Sequence, residues 1–168
     1  RATLMLAFFT AIVCATKRVY ITTPYLIPNE SIVTALKQAV LSGLDVRLLV
    51  PKNSDSFFVN AASQSFYNEL LDAGVKIYQY YKGFIHAKTV AIDNNLAIVG
   101  TANMDIRSFD LNFEINAFVY NETLNKQLTD CFLEDLKHST LIDKHAWKKR
   151  KKRYRLVESV ARLVAPLL

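Results

Sequence analysis

Residues 83–114 read GFIHAKTVAIDNNLAIVGTANMDIRSFDLNFE. Two runs rich in apolar and β-branched residues, 86–92 and 96–99, flank Asp93-Asn94-Asn95, a composition suited to a hairpin turn. The pattern predicts an antiparallel strand pair. His86 and Lys88 stand two apart on the first strand and so share a face, with Ile85, Ala87 and Thr89 on the other. Thr101 and Asn103 have the same spacing just past the second strand. Pairing the strands through the turn lets all four side chains converge.

Upstream, the elements alternate. Residues 17–23 (KRVYITT) form a strand by their β-branched and aromatic content, and Pro24 and Pro28 punctuate the loop after it. Asn29 caps a helix over 30–41, whose Ile32, Val33, Leu36, Ala39 and Val40 fall at helical spacing, and Gly43 stops it. Residues 45–50 are a strand ended by Pro51, 57–73 a helix followed by Gly74, and 76–81 a third strand. Downstream, 112–120 is a strand and Asn121 caps a helix to about residue 137. Alternation followed by a hairpin predicts an α/β sandwich, a mixed sheet covered by helices. Residues 2–15 (ATLMLAFFTAIVCA) are apolar but shorter than the roughly 20 residues a membrane span needs. They lack the basic flank and cleavage pattern of a signal peptide, so they read as a buried helix.

At 168 residues the chain is one domain's worth, and its 51% hydrophobic content can bury a core, which excludes general disorder. Four Gly and four Pro exclude collagen-like and low-complexity readings. Cys14 and Cys131 lie far apart and give no disulfide framework, which points to a reducing compartment. The net charge of +6 is local. Residues 144–155 (KHAWKKRKKRYR) hold eight Lys or Arg and no acid, while the other residues carry 13 basic and 15 acidic side chains. The chain is a near-neutral globule with a basic tail, which suits a phosphate-bearing partner. Within 147–168, Trp147, Tyr154, Val157, Ala161, Val164 and Leu168 fall on one line and Leu156, Val160, Leu163 and Leu167 on the next, an amphipathic helix with a basic front end. A boundary near 142–144 divides a domain, 1–143, from this tail, 144–168.

Histidine can act as nucleophile or general acid near neutral pH. Lysine is a compact cation that can hold a phosphate oxygen. With the neutral hydrogen bonds of Thr101 and Asn103, His86 and Lys88 make an anion site with a titratable nitrogen in its middle. A divalent metal is not expected, because Lys88 would repel it and no second His stands at ligand spacing. Asp93 reads as a turn former. Glu114, between Phe113 and Ile115, reads as a buried strand carboxylate that needs a partner. Two partners fit: the ring nitrogen of His86, which it would orient, or Arg107.

The string H-A-K-T-V-A-I-D with G-T-A-N downstream resembles the HxKxxxxD…G[ST]xN motif of the phospholipase D superfamily. The continuation N-M-D-I-R-S-F-D-L-N-F-E resembles the second such motif of bacterial cardiolipin synthases. T-P-Y-L-I-P-N, V-R-L-L-V-P-K-N-S-D, L-L-D-A-G-V-K-I-Y and the ending A-R-L-V-A-P-L-L fit the same family, so the resemblance covers nearly the whole chain. It implies a phospholipase D-like α-β-α sandwich with a mixed sheet, one half of a pseudo-twofold pair, followed by a C-terminal amphipathic helix. It also implies a site built from two motifs, in which one His forms a phosphohistidine and the other protonates the leaving alcohol and deprotonates the incoming one. The Lys and Asn of both motifs hold the phosphoryl oxygens, with no metal or cofactor.

Carried onto this chain, the catalytic candidates are His86, Lys88, Asp93, Asn103 and Glu114, with Lys88, Thr101 and Asn103 on the phosphate. Asp93 matches the third motif letter, although its place in a turn points to a structural role. In two-motif members the N-terminal His is usually the nucleophile, which makes His86 the general acid–base. Only one motif is present, since neither His138 nor His145 is followed by a Lys two residues on. Residues 1–143 are then a catalytic half-domain, to be completed by the N-terminal half of the same enzyme or a second copy. The Arg start favours a C-terminal half of something longer. The implied reaction joins two phosphatidylglycerol molecules into cardiolipin and releases glycerol, at the bacterial cell membrane with the catalytic domain on the cytoplasmic face.

The basic tail suits an anionic bilayer, where each Lys or Arg contributes roughly 1 kcal/mol, with Trp147 and Tyr154 suited to interfacial depth. Its other reading is a solvated face and a helix docked on its own domain. Phe109, Leu111 and Phe113 supply apolar surface at the mouth of the site or belong to the core. Two rival classes remain. A hydrolytic phospholipase D or nuclease would use the tail to grip nucleic acid, which the slightly acidic globule disfavours, so no nucleic acid is expected. A non-catalytic membrane-binding module leaves the convergence of His86, Lys88 and Asn103 without a cause.

Overall fold

The computed structural model describes residues 3–164. The helical lines expected to run on to Leu167 and Leu168 end outside the described residues, as does the start of the first helix at Ala2. The strands are β1 (Arg18–Thr22), β2 (Leu26–Ile27), β3 (Asp45–Pro51), β4 (Lys76–Tyr80), β5 (Thr89–Ile92), β6 (Leu96–Gly100), β7 (Met104–Asp105), β8 (Asn116–Tyr120) and β9 (Ser139–Leu141). The helices are α1 (Thr3–Val13), α2 (Glu30–Leu41), α3 (Phe57–Ser65), α4 (Tyr67–Ala73), α5 (Ile106–Asp110), α6 (Glu122–Leu136), α7 (Lys144–Lys148) and α8 (Lys152–Val164).

Seven strands form one mixed sheet in the order β8-β6-β5-β1-β3-β4-β9. β1, β3 and β4 are parallel, and β5, β6, β8 and β9 join antiparallel. Strand alternation assigns the two faces. Val19 and Ile21, Val46, Leu48 and Val50, and Val90 and Ile92 face one side, where α1, α2, α3 and α4 contribute Phe8, Ile12, Leu36, Ala62 and Leu70 to the same core. Tyr20, Leu49 and Ala91 face the other side, where α6 supplies Phe132, its ring stacked 4.9 Å from Tyr20. The result is the mixed sheet covered by helices that the alternation predicts, in the α-β-α form that the resemblance implies.

Helix ends follow local chemistry. Asn29 accepts from the Ile32 amide at 3.0 Å and Asn121 from the Leu124 amide at 2.9 Å. Gly74 ends α4 in the left-handed region, at φ 104°.

Several boundaries differ from expectation. The helix expected over 57–73 breaks at Phe66, whose amide donates to Ser63 at 3.2 Å, while Ser65 Oγ donates back to the Ala62 carbonyl at 2.6 Å. The strand expected from 86 starts at Thr89, and the one expected from 112 starts at Asn116, after an irregular run that follows the short helix α5 and its Asp105 cap. β9 is a short polar edge strand that the hydrophobic pattern does not announce. α1 buries Phe8, Ala11 and Ile12 while Leu6 and Val13 stay exposed, so it is a surface helix with one buried stripe.

The tail expected as one helix is two, folded back onto the globule. Trp147 lies 5.3 Å from the Tyr67 ring, and the Arg150 guanidinium sits 3.2 Å over Trp147 and pairs with Glu158 at 2.7 and 3.1 Å. Lys144 and Lys148 both reach Asp72, at 3.0 and 2.6 Å. α8 lies along α3 and buries Ala161 and Glu158.

Candidate functional site

The β5–β6 hairpin forms as its turn residues predict, with Asp93 at a positive φ of 51°. The Asp93 carboxylate accepts from the amides of Thr16, Lys17 and Arg18 and from the Thr16 hydroxyl, at 2.7 to 3.2 Å. Burial pushes its pKa up, but these bonds outweigh burial and hold it below the ordinary carboxylate range. Asp93 thus ties the hairpin turn to the start of β1.

Thr89 pairs with Val99, and the Gly100 amide donates to the Lys88 carbonyl at 3.3 Å, one rung further. Beyond that rung both chains leave the ladder. Strand alternation alone would turn Thr101 and Asn103 away from Lys88. A second, two-stranded sheet instead fixes this region. β2 pairs in parallel with β7, Leu26 opposite Met104, and the Met104 amide donates to Thr23 Oγ1 at 3.1 Å.

His86 is exposed on the irregular segment before β5. Its ring stacks on Phe84, centroids 5.6 Å apart, and Phe84 lies 6.4 Å from Tyr25. Lys88 is half-buried and its Nζ donates to the His86 carbonyl oxygen at 2.9 Å. Burial lowers the Lys88 pKa, while the charges of Glu114 and Asp105 act the other way and favour its ammonium. Asn103 Nδ2 donates to Asp105 Oδ2 at 3.0 Å, and its backbone amide to Ser108 Oγ at 3.1 Å. Asn103 Oδ1 is buried without a hydrogen-bond partner.

The Thr101 hydroxyl is taken up by the backbone of Ile115, accepting from its amide at 3.0 Å and donating to its oxygen at 3.4 Å. Glu114 lies in the irregular run before β8, half-buried, and accepts from Asn112 Nδ2 at 3.1 Å. Its charge is felt at Lys88. Of the three apolar candidates, Phe109 is core and packs 5.6 Å from Phe8, whereas Leu111 and Phe113 are exposed.

Beside Asn103 opens a cleft of about 270 Å³ whose lining includes Tyr25, Asp55, Ser56, Val59, Asn103 and Asp105. The Tyr25 hydroxyl donates to Asp55 at 2.7 Å, and burial followed by this bond pushes its pKa up to about 12. The sequence reasoning did not single out Asp105, the buried carboxylate beneath Asn103, or Tyr25. The signal for Asp105 was available, since an Asp three residues before Ser108 reads as a helix cap.

The charges of Glu114 and Asp105 reach Lys88, and Asp105 holds Asn103; an imidazole, an ammonium and a carboxamide are the side-chain types that can bind an anion and pass a proton to it. Among the described residues, no three His, Cys, Asp or Glu side chains form a metal-holding group, and no helix is long and apolar enough to cross a membrane.

The profile of the family described as "Cardiolipin synthase, PLD-like domain" matches residues 8–136. The chain is 52% identical over 161 residues to the cardiolipin synthase of Geobacillus thermodenitrificans and 51% identical over 161 residues to cardiolipin synthase 2 of Bacillus anthracis. Each alignment covers 96% of this chain and 32% or 31% of the relative, so the chain spans about a third of the length of the curated relatives it matches. In fold it is similar to the phospholipase D family member Nuc of Salmonella typhimurium, with a TM-score of 0.73 and 18% identity over 84% of this chain and 91% of that one. It is also similar to the phosphatidylserine synthase of Haemophilus influenzae, with a TM-score of 0.78 and 13% identity over 99% of this chain and 46% of that one.

Proposed function

The chain belongs to the cardiolipin synthase, phospholipase D-like domain family, and from that premise we propose that it is one half of a phosphatidyl-transferring enzyme acting on phosphatidylglycerol. In the proposed reaction the phosphodiester of one phosphatidylglycerol loses its terminal glycerol. The phosphatidyl group passes through a phosphohistidine to a hydroxyl of a second phosphatidylglycerol, giving cardiolipin and one free glycerol. His86 is the proton carrier of this half: it protonates the departing glycerol oxygen and then takes the proton of the incoming hydroxyl. Lys88 and Asn103 hold phosphoryl oxygens, Glu114 supports the Lys88 charge, and Thr101 braces the loop through Ile115. Asp93 holds the hairpin turn. The nucleophilic His comes from the second motif, on the N-terminal half or another copy.

The observation that carries this reading is the hold of Asp105 on Asn103, at 3.0 Å, with the half-buried Lys88 close enough to feel the charge of the same carboxylate and of Glu114. A lysine nitrogen and an oriented amide tied to one carboxylate are groups that can hold phosphodiester oxygens. The basic stretch points the site toward an anionic membrane, with the cytoplasmic face as the proposed side.

The test is product analysis on phosphatidylglycerol vesicles, with this chain alone and with the N-terminal half of a relative supplied. The reading expects cardiolipin and glycerol, lost in His86→Ala. Phosphatidic acid in place of cardiolipin would instead assign a hydrolase.

A further inference from the structure

The way the tail docks divides its side chains into two groups. Lys144 and Lys148 pair with Asp72 of α4, Arg150 pairs with Glu158 within the tail, and Trp147 is half-buried against Tyr67. The Asp72 pairs and the Trp147–Tyr67 contact hold the tail to the globule. Lys149, Lys151, Arg153 and Arg155 remain exposed.

α8 is likewise two-sided. It docks through Ala161 and Glu158, which are 2% and 4% exposed. On the opposite side Leu156, Val160 and Leu163 recur at helical spacing, 67%, 56% and 82% exposed. This apolar row has Arg153 and Arg155 beside it.

A second apolar feature lies at the start of α3, the helix on which α8 packs. Phe57 and Phe58, at the start of α3, are 69% and 61% exposed and pack edge to face, 5.8 Å apart. A groove of about 320 Å³ runs between α3 and α8, with Phe57, Ala61, Arg153, Tyr154 and Val157 among its lining residues. Ser56 and Val59, on the same first turns of α3, line the cleft that contains Asn103. The aromatic pair, the groove with Arg153 in its lining, and the Asn103 cleft therefore meet around one short helix.

We propose that Phe57 and Phe58 of α3, with the outer row Leu156–Val160–Leu163 of α8, form a bilayer-inserting surface that seats the Asn103 cleft against an anionic membrane. The occupant is a lipid surface because of the charge pattern. Exposed Arg153 and Arg155 flank the apolar row on α8, and exposed Lys149 and Lys151 lie just before the helix, the arrangement of a helix lying in the plane of a membrane interface. A protein partner would be expected to meet a patch depleted of lysine. This deepens the lipid reading of the site and rests on it for the substrate's location, but the surface is measured by binding alone.

The experiment is partitioning of the full chain onto phosphatidylglycerol vesicles and onto neutral phosphatidylcholine vesicles, with and without high salt. The double variant Phe57→Ser, Phe58→Ser should partition about tenfold more weakly onto the anionic vesicles while keeping the parent salt dependence. Replacing Lys149, Lys151, Arg153 and Arg155 by Gln should flatten that salt dependence. Phe57→Trp keeps an aromatic there and should bind as the parent does. Its emission should shift to the blue over the constant Trp147 background and be quenched by brominated acyl chains.

Unchanged partitioning of the Ser pair, or no quenching at Phe57→Trp, would overturn the surface. So would sedimentation showing a dimer that Leu156→Ser, Leu163→Ser dissociates while vesicle binding stays intact, because the row would then face a second copy. Binding with these signatures but no lipid turnover would leave the surface standing and count against the proposed reaction. Turnover that ignores the Phe57 and Phe58 changes would do the reverse.

Discussion

Asn103 Nδ2 donates to Asp105 Oδ2 at 3.0 Å, and the other oxygen of the same carboxylate caps α5 by accepting from the Ser108 amide at 2.7 Å. One buried carboxylate therefore sets both the pose of the motif asparagine and the start of the helix beneath it. The two duties can be separated by substitution. Asp105→Asn retains an acceptor for Ser108 but turns an amide group toward Asn103. Lipid turnover should fall more than tenfold while the melting temperature stays near the parent value. Asp105→Ala should lose about 1 kcal/mol of stability as well, from the missing cap. Paired turnover and thermal melts check both.

Lys88 titrates under the influence of Glu114. Burial depresses its pKa, and the Glu114 charge, ahead of Asp105, opposes that depression. Glu114→Gln removes a negative charge that favours the ammonium, so the Lys88 pKa should fall further and its charge be lost at a lower pH. A ¹⁵N titration of the lysine side chains reads this directly, and Asn112→Ala gives the control for mere loop disturbance.

Gly100 pairs with Asn116 where β6 ends, and a Cβ there would meet Asn116 Oδ1 at 2.1 Å and the Ile115 backbone oxygen at 2.4 Å. Backbone cannot yield as a side chain can. Gly100→Ala should therefore destabilise by about 1–3 kcal/mol. It should also loosen the Thr101–Ile115 bonds, which urea melts and amide exchange at Thr101 and Ile115 would register.

Acid should weaken the fold through two carboxylates. Burial pushes Asp45 up, but hydrogen bonds from Arg47, Lys76 and Tyr20 outweigh it and bring its pKa down to about 2. Asp93 is lowered by the three amides and the hydroxyl it accepts from. For a depressed carboxylate the stabilisation is fully present above its unfolded value, near 3.8, and is lost as pH falls through the folded value. Stability should thus decline from about pH 4 toward pH 2. Asp93→Asn should flatten part of that decline, as urea melts across the range would reveal.

Arg150 and Glu158 have side chains only 19% and 6% exposed and join at 2.7 Å. Removing the carboxylate leaves a largely buried guanidinium without its anion. Glu158→Ala should lower stability by about 3 kcal/mol and free α8 first, so limited proteolysis should cut near the α7–α8 connection.

The elements that were legible in the sequence are those whose signals are local. Asn29 and Asn121 cap their helices, Gly74 ends one, and Asp93 with its two asparagines turns the hairpin, each because a single side chain or φ angle decides the matter. Tertiary contacts decide the rest. Residues 86–88 look like strand, but β5 starts at Thr89 and the last rung is the Gly100 amide on the Lys88 carbonyl, while β2 and β7 pair with each other beside the loop after β6. The tail looks continuous but breaks where Arg150 turns back to Glu158 and Trp147. The spacing of His86, Lys88, Thr101 and Asn103 marked the region, but it did not foresee that the Thr101 hydroxyl is taken up by the Ile115 backbone. Asp105, the residue that holds Asn103, carried only a capping signal.

The most direct measurement follows the side-chain nitrogens of the folded chain by NMR during titration with inorganic phosphate. The account predicts that the His86 imidazole, the Lys88 ammonium and the Asn103 carboxamide shift together on one binding curve, which Lys88→Met abolishes. Shifts confined to Lys149, Lys151, Arg153 and Arg155, with His86 and Asn103 unmoved, would contradict it.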